Sequence, residues 1–230
     1  MTKVNSDYDV LAVVFSAWWR DLQGLSKSGN TILIGGAPKA PNRGALAELR
    51  RIANADMDGA LAVDCAGAIG VEAFRDLRLR LLGEPNLSNS VKLWLLPGEQ
   101  CLKELKLEPF IVAAATLAIV RTEDTSVAKR GATARLLGAA RGEADSQPVY
   151  AEARFKRLIR CRHDWPGLMA QARRIAATLE KQAPVGDLGA SLVLWNSDPH
   201  IIRDWTFQYY EKSFEETDTP PAASTTSPAI

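Results

Sequence analysis

Histidine and cysteine are scarce in this 230-residue chain, and each scarcity narrows the chemistry open to it. Two histidines, His163 and His200, rule out a histidine-rich metal centre. Three cysteines, Cys65, Cys101 and Cys161, lie far apart with no CxxC spacing. That pattern suits a reducing compartment and supplies neither a disulfide framework nor a zinc site, so the cysteines read as small buried apolar residues. An excess of charge of one sign is also missing. With 28 Lys and Arg against 27 Asp and Glu, the formal charge is +1, and the total points to no nucleic-acid or membrane partner. The longest apolar run, Phe110 to Val120, falls well short of the roughly 20 residues a spanning helix needs and reads as a buried core helix. Asp7 and Asp9 stand ahead of the apolar run Val10 to Phe15, which is not the order of an export signal. No membrane partner is expected, and the expected location is cytoplasmic. The 47% hydrophobic and 24% charged composition is that of an ordinary globular protein, excluding wholesale disorder, collagen and a disulfide miniprotein.

Catalytic signatures are absent as well. The sequence contains no GxSxG, HExxH or Cys/His arrangement. His163 adjoins Asp164, and His200 lies near Asp198 and Asp204, but neither group combines a nucleophile, a base and an orienting third residue. Asp164 reads instead as the N-cap of a helix opening at Trp165-Pro166. Gly35-Gly36 follows a short apolar run, yet no phosphate-loop pattern continues from it and Pro38 interrupts, so a plain turn is expected. Neither enzymatic activity nor a cofactor is expected.

What is present is helical periodicity, and the expected fold class is all-α, a two-domain helical bundle protein. Val10, Val14, Trp18 and Leu22 fall on one stripe of a helix over about 7–24. Further helices are expected at about 43–55, 70–82, 101–120, 151–162, 165–182, 186–196 and 198–213, the last opened by Ser197 or Asp198 with Pro199. Residues 25–42 and 83–98 read as loops, with Thr31 to Ile34 as a possible extended piece. Residues 58–69 fit no single pattern. The stretch 121–150, poor in aromatics and holding one short helical pattern from Thr133 to Ala140, reads as the domain junction. The expected organisation is an N-terminal helical domain over 1–122, a C-terminal bundle over 123–213 and a Pro/Ser/Thr-rich disordered tail over 214–230. Trp18-Trp19, Trp195 and the aromatic run from Trp205 to Tyr210, with Phe207, Tyr209 and Tyr210, are expected in the core rather than stacked on bases.

Dividing the charge along the chain restores a signal that the total conceals. Residues 129–181 hold twelve Lys or Arg against five Asp or Glu, a local +7, whereas residues 204–230 hold one against five, a local −4. In the helix at 151–162, Phe155, Leu158 and Ile159 share one side, and Lys156, Arg157 and Arg160 share the other. In the next helix Leu168, Ala172, Ile175 and Leu179 form a stripe from which Arg173, Arg174 and Lys181 turn away. Near the N-terminus, Arg43 and Arg50 are seven apart on one face, with Arg51 beside them. A basic face on one helix is ordinarily just solvated surface. Three such helices suit phosphate contacts, which need spaced cations but no base-reading geometry. An acidic protein surface would be served equally well, so a helical protein–protein adaptor is the alternative reading.

Several segments together, AWWRDL (17–22), RGALAELRR (43–51), ARFKRLIR (153–160), QARRIAATL (171–179), DLGASLVLW (187–195) and IIRDWTFQYY (201–210), resemble the CasB-type small subunit of the type I-E CRISPR effector complex, Cascade. The resemblance implies a non-catalytic, all-helical subunit that associates with other Cascade subunits, dimerises within the complex, and holds the backbones of the guide RNA–target DNA hybrid and the displaced strand. It matches Arg50 and Arg51 to paired arginines of the first basic motif, Arg154 and Arg160 to the basic positions of the R-F helix, and Arg174 to the second arginine of the following pair. Lys129 and Arg130 precede Gly131 where the family pattern has Ser-Leu-Gly, a local departure. The resulting set of expected nucleic-acid contacts is Arg43, Arg50, Arg51, Lys129, Arg130, Arg154, Lys156, Arg157, Arg160, Arg173 and Arg174.

Overall fold

The computed structural model describes residues 6–26, 30, 32–34, 37–54, 67–96, 107–125, 130–142 and 145–215. Its first helix, α1 (Asp7–Gln23), opens with a capping box in which Ser6 and Asp9 exchange side-chain and backbone bonds. It closes at Gly24, whose φ of 72° lets the chain turn in a left-handed conformation, while the Gly24 N–H satisfies the Asp21 carbonyl at 3.2 Å. A two-residue hairpin, β1 (Leu33–Ile34) with β2 (Ala37–Pro38), leads to α2 (Arg43–Asn54), which Asn42 caps by accepting the Ala45 N–H at 3.1 Å. Helices α3 (Glu72–Gly83) and α4 (Asn89–Leu95) follow, and then α5 (Glu108–Leu117), which carries Pro109 in its first turn.

Beyond β3 (Thr122–Glu123), the chain forms α6 (Ala132–Gly138), the hairpin β4 (Ala140–Gly142) with β5 (Asp145–Pro148), α7 (Glu152–Arg160) and α8 (Trp165–Thr178). The short strand β6 (Gln182–Ala183) pairs in parallel with β3, and α9 (Val185–Leu194) and α10 (Pro199–Glu215) complete the order. The chain is predominantly α-helical, as the periodicity implied.

Two helices organise the interior. Apart from partly exposed Glu108, every residue of α5 is buried, and α9 is buried along its whole length. Both are too apolar to face water on any side. Helix α9 packs against α1 on one side and α5 on another, while α5 also contacts α2 and α8. One hydrophobic cluster therefore runs from Tyr8 to Tyr209 without a break at the 121–150 stretch. Three indole N–H groups knit it: Trp18 donates to the Ala73 carbonyl at 3.0 Å, Trp19 to the Leu117 carbonyl at 3.1 Å, and Trp205 to Ser191 Oγ at 2.9 Å. Trp195 packs edge-on to Trp205.

The loop expected at 83–98 is corrected by α4. Ser88 caps that helix by accepting the Val91 N–H at 3.4 Å and is itself tied to the Asp7 carboxylate on α1, at 2.7 Å from Oγ and 2.8 Å from N–H. Tertiary capping stabilises a seven-residue helix that isolated propensity would not sustain. The expected continuation of the 165–182 helix stops at Thr178, because Glu180 and Lys181 adopt φ of 52° and 66°. The expected caps at Asp164 and Asp198 are present, accepting from Gly167 N–H at 2.9 Å and His200 N–H at 2.9 Å. Residues 58–66, the first part of the 101–120 helix, Gly35-Gly36, Cys65, Cys101 and the tail from 216 onward lie outside the described residues.

Gly138 ends α6 against the backbone of α10, where an added Cβ would collide with the Tyr209 carbonyl. Gly138→Ala is expected to destabilise the fold by about 1–3 kcal/mol through overpacking. Gly83→Ala, where a Cβ would meet nothing within 4 Å, should leave the urea midpoint near that of the wild type.

Candidate nucleic-acid interface

The basic faces expected from the sequence sit on α2, α7 and α8, and α8 contacts both of the others. Helix α7 is fixed by its apolar side: Phe155 and Leu158 are fully buried, and Phe155 stacks on Tyr209 at 3.8 Å between ring centroids and 6° between planes. That anchoring turns Arg154, Lys156, Arg157 and Arg160 to solvent. Arg157 and Arg160 stand in the last turn, where the helix dipole favours cations. Lys156 pairs with Glu152 one turn earlier at 2.7 Å, and this partnership holds the Glu152 carboxyl below the usual carboxylate range.

On α8, Leu168, Ala172 and Ile175 are buried, whereas Arg174 is exposed and Arg173 half-buried. Tyr150, between β5 and α7, ties α8 to α10. Its hydroxyl donates to Gln171 Oε1 of α8 at 2.9 Å, and its carbonyl accepts from the Tyr209 hydroxyl at 2.6 Å. Burial pushes the Tyr150 hydroxyl pKa up, while Arg174 and Arg154 pull it down, so both guanidinium groups lie within electrostatic reach of one phenol. Arg154 and Arg174 thus stand exposed on two helices that contact each other. Among the described residues, no carboxylate pairs with Arg154, Arg157, Arg160 or Arg174.

On α2, Arg43 and Arg51 are exposed, while Arg50 reaches sideways and donates from Nε to the Ala118 carbonyl at the end of α5, at 2.6 Å. Arg130 is a different case. Its Nη2 donates to Asp198 Oδ2 at 2.7 Å, its Nε lies 2.9 Å from Asp204 Oδ2, and its guanidinium stands 5.0 Å from the centre of the Tyr8 ring. Two carboxylates thus compensate its charge. Lys129 lies outside the described residues.

Beneath Arg130 is a residue that the pattern of basic faces does not single out. Asp187, 7% exposed on the first turn of α9, accepts from the Tyr8 hydroxyl and the Gly131 N–H (2.8 Å) with Oδ1, and from the Thr133 N–H (2.7 Å) with Oδ2. Gly131, the N-cap of α6, has no side chain to cap it, so a carboxylate from another helix supplies the missing acceptors. The available signal was a lone acid in the otherwise apolar run from Ala183 to Trp195. Among the described residues, no group of three or more His, Cys, Asp or Glu could hold a metal ion, and no helix is long and apolar enough to cross a membrane.

The fold is thus that of a predominantly helical protein with exposed arginines on α2, α7 and α8. The family described as CRISPR-associated protein Cse2 has a model that matches residues 45–210, and the chain belongs to this family. It is thereby a structural subunit of a CRISPR Cascade assembly and associates with other Cascade subunits. Neither the curated proteins nor the solved structures contain a significant match.

Asp187→Ala is expected to cost about 3–5 kcal/mol, because it strands the Tyr8 hydroxyl and two amide donors in the interior. Burial holds the Asp187 carboxyl above the usual range, despite hydrogen bonds from Thr133 and Tyr8 that oppose the shift. The folded chain therefore keeps a proton at pH values where the unfolded chain has released it. This contribution is fully present below the ordinary value of about 4 and is lost as pH rises through the folded-state value. Relative to Asp187→Asn, the wild type should gain urea resistance on acidification. Parallel titrations of the two midpoints check this.

Proposed function

We propose that the chain is a non-catalytic nucleic-acid-binding subunit of a type I-E Cascade complex. It grips sugar-phosphate backbones of the guide RNA–target DNA hybrid and the displaced strand in antiviral defence. The observation that carries the reading is the exposure of Arg154, Arg157 and Arg160 on α7 and of Arg174 on the contacting α8, with no carboxylate paired to any of them among the described residues. Uncompensated guanidinium groups on a rigid scaffold release condensed counterions when they meet phosphates, which favours binding without reading bases. Base pairing between guide and target supplies the sequence selection.

Arg43, Arg50, Arg51, Lys156, Arg157, Arg160 and Arg173 extend the proposed track along α2, α7 and α8, with Lys129 beyond the described residues. Arg130 enters it differently. Since Asp198 and Asp204 already hold its guanidinium, its substitution should act on stability more than on affinity. Within the assembly the subunit is proposed to act in the cytoplasm as a homodimer. The proposed organisation is an N-terminal helical domain over 1–122 and a C-terminal bundle over 123–213, with α9 of the second resting on α1 and α5 of the first.

Substituting Arg154, Arg160 and Arg174 together by Gln should weaken binding to both single- and double-stranded DNA. It should also lower the slope of log affinity against log salt by about 0.7–0.9 for each phosphate that is no longer neutralised. Unchanged affinity and slope would remove the proposed face. Guide-length RNA purified with the wild-type complex favours this reading, whereas a protein partner without RNA favours an adaptor.

A further inference from the structure

On α10, the side turned away from the core bears an aromatic shelf. Ile202, Trp205 and Tyr209 face inward and are buried, which places Arg203, Phe207 and Tyr210 on the outer side at spacings of four and three. Phe207 is 68% exposed and is the one aromatic among the large exposed apolar side chains of the described residues. It lies on a largely apolar recess of about 670 Å³ formed with Arg203, Thr206, Gln208, Tyr210 and Glu211. A single exposed apolar residue needs no explanation, but this one has fixed and charged neighbours. The Tyr210 ring meets Phe155 edge-on at 6.1 Å, and its hydroxyl donates to Glu152 Oε1 of α7 at 3.1 Å. Glu152 in turn holds Lys156. The shelf is therefore continuous with the α7 face that carries Arg154, Lys156, Arg157 and Arg160, where cations outnumber the one carboxylate, Glu152.

We propose that Phe207, flanked by Tyr210, is a platform on which an unpaired base of a single-stranded nucleic acid stacks while its flanking phosphates rest on the α7 cations. The inference rests on the nucleic-acid reading above and narrows the ligand of this face from hybrid or displaced strand to a single strand with splayed bases. Aromatic faces beside a cationic groove accept any base, because every base offers a π face, whereas a duplex keeps its bases stacked inside. Charge complementarity distinguishes this occupant from an apolar protein surface, which would leave the α7 cations unmatched.

The test uses the full-length chain and a single-stranded oligonucleotide containing 2-aminopurine, whose fluorescence falls when it stacks, beside the same sequence as a duplex. Phe207→Ala should weaken single-strand binding by roughly tenfold or more and abolish the quench, with duplex affinity and salt slope unchanged. Phe207→Trp should restore both affinity and quench. Because Phe207 is outside the core, both variants should melt with the wild type. Wild-type affinity and quench in Phe207→Ala, with salt dependence intact, would overturn the platform and leave the phosphate reading standing. A wild-type chain that binds no strand at all would overturn both. Failure of Phe207→Ala to associate with other subunits, with unaltered strand binding, would make the shelf a protein contact and equally overturn the proposal.

Discussion

Burying a carboxylate is costly unless its surroundings replace the water it loses, and the Asp187 site supplies that replacement with three donors from two other parts of the chain. Tyr8 comes from α1, and the amides of Gly131 and Thr133 come from the start of α6. The cost of leaving any of these donors unmet is what fixes α1, α6 and α9 in one arrangement. Arg130 then lies over the Tyr8 ring and ties the same knot to Asp198 and Asp204 at the start of α10. Four helices are thus referred to one point, and the outer faces of α7, α8 and α10 inherit their positions from it through the aromatic packing of Phe155, Tyr150 and Tyr209.

Much of the helical framework was legible because its signals are local. The Val10–Val14–Trp18–Leu22 stripe is buried as expected, Asp164 and Asp198 cap the helices they precede, and Trp18, Trp19, Trp195, Trp205 and Tyr209 are buried, whereas Phe207, expected in the core with its run, is exposed because it falls on the outer side of α10. Elements of low sequence range and high tertiary dependence were not legible. Helix α4 lies between Pro85 and Pro97 and relies on Asp7, which is 81 positions away, to brace its Ser88 cap. The β3–β6 pair spans two residues on each strand, too few for alternation to register. The same limit governed the site. Counting charge along the chain ranked Arg130 with Arg154, because Asp198 is 68 positions distant and its pairing leaves no mark on neighbouring residues.

Arginines that look equivalent in sequence divide by what their forks already hold. Arg50 gives its Nε to a backbone carbonyl, which is neutral, so the side chain is oriented by the helix end while its charge stays uncompensated. Its position at the C-terminus of α5, where the helix dipole is negative, makes that orientation favourable. Arg130 gives Nη2 to Asp198 and forms an ion pair with Asp204, and a phosphate approaching it would have to displace both. Carbonyl anchoring preorganises a cation for a ligand, whereas carboxylate pairing consumes it. By that distinction the proposed interface draws on α2, α7 and α8, whereas Arg130 ties the start of α10 to Tyr8 of α1.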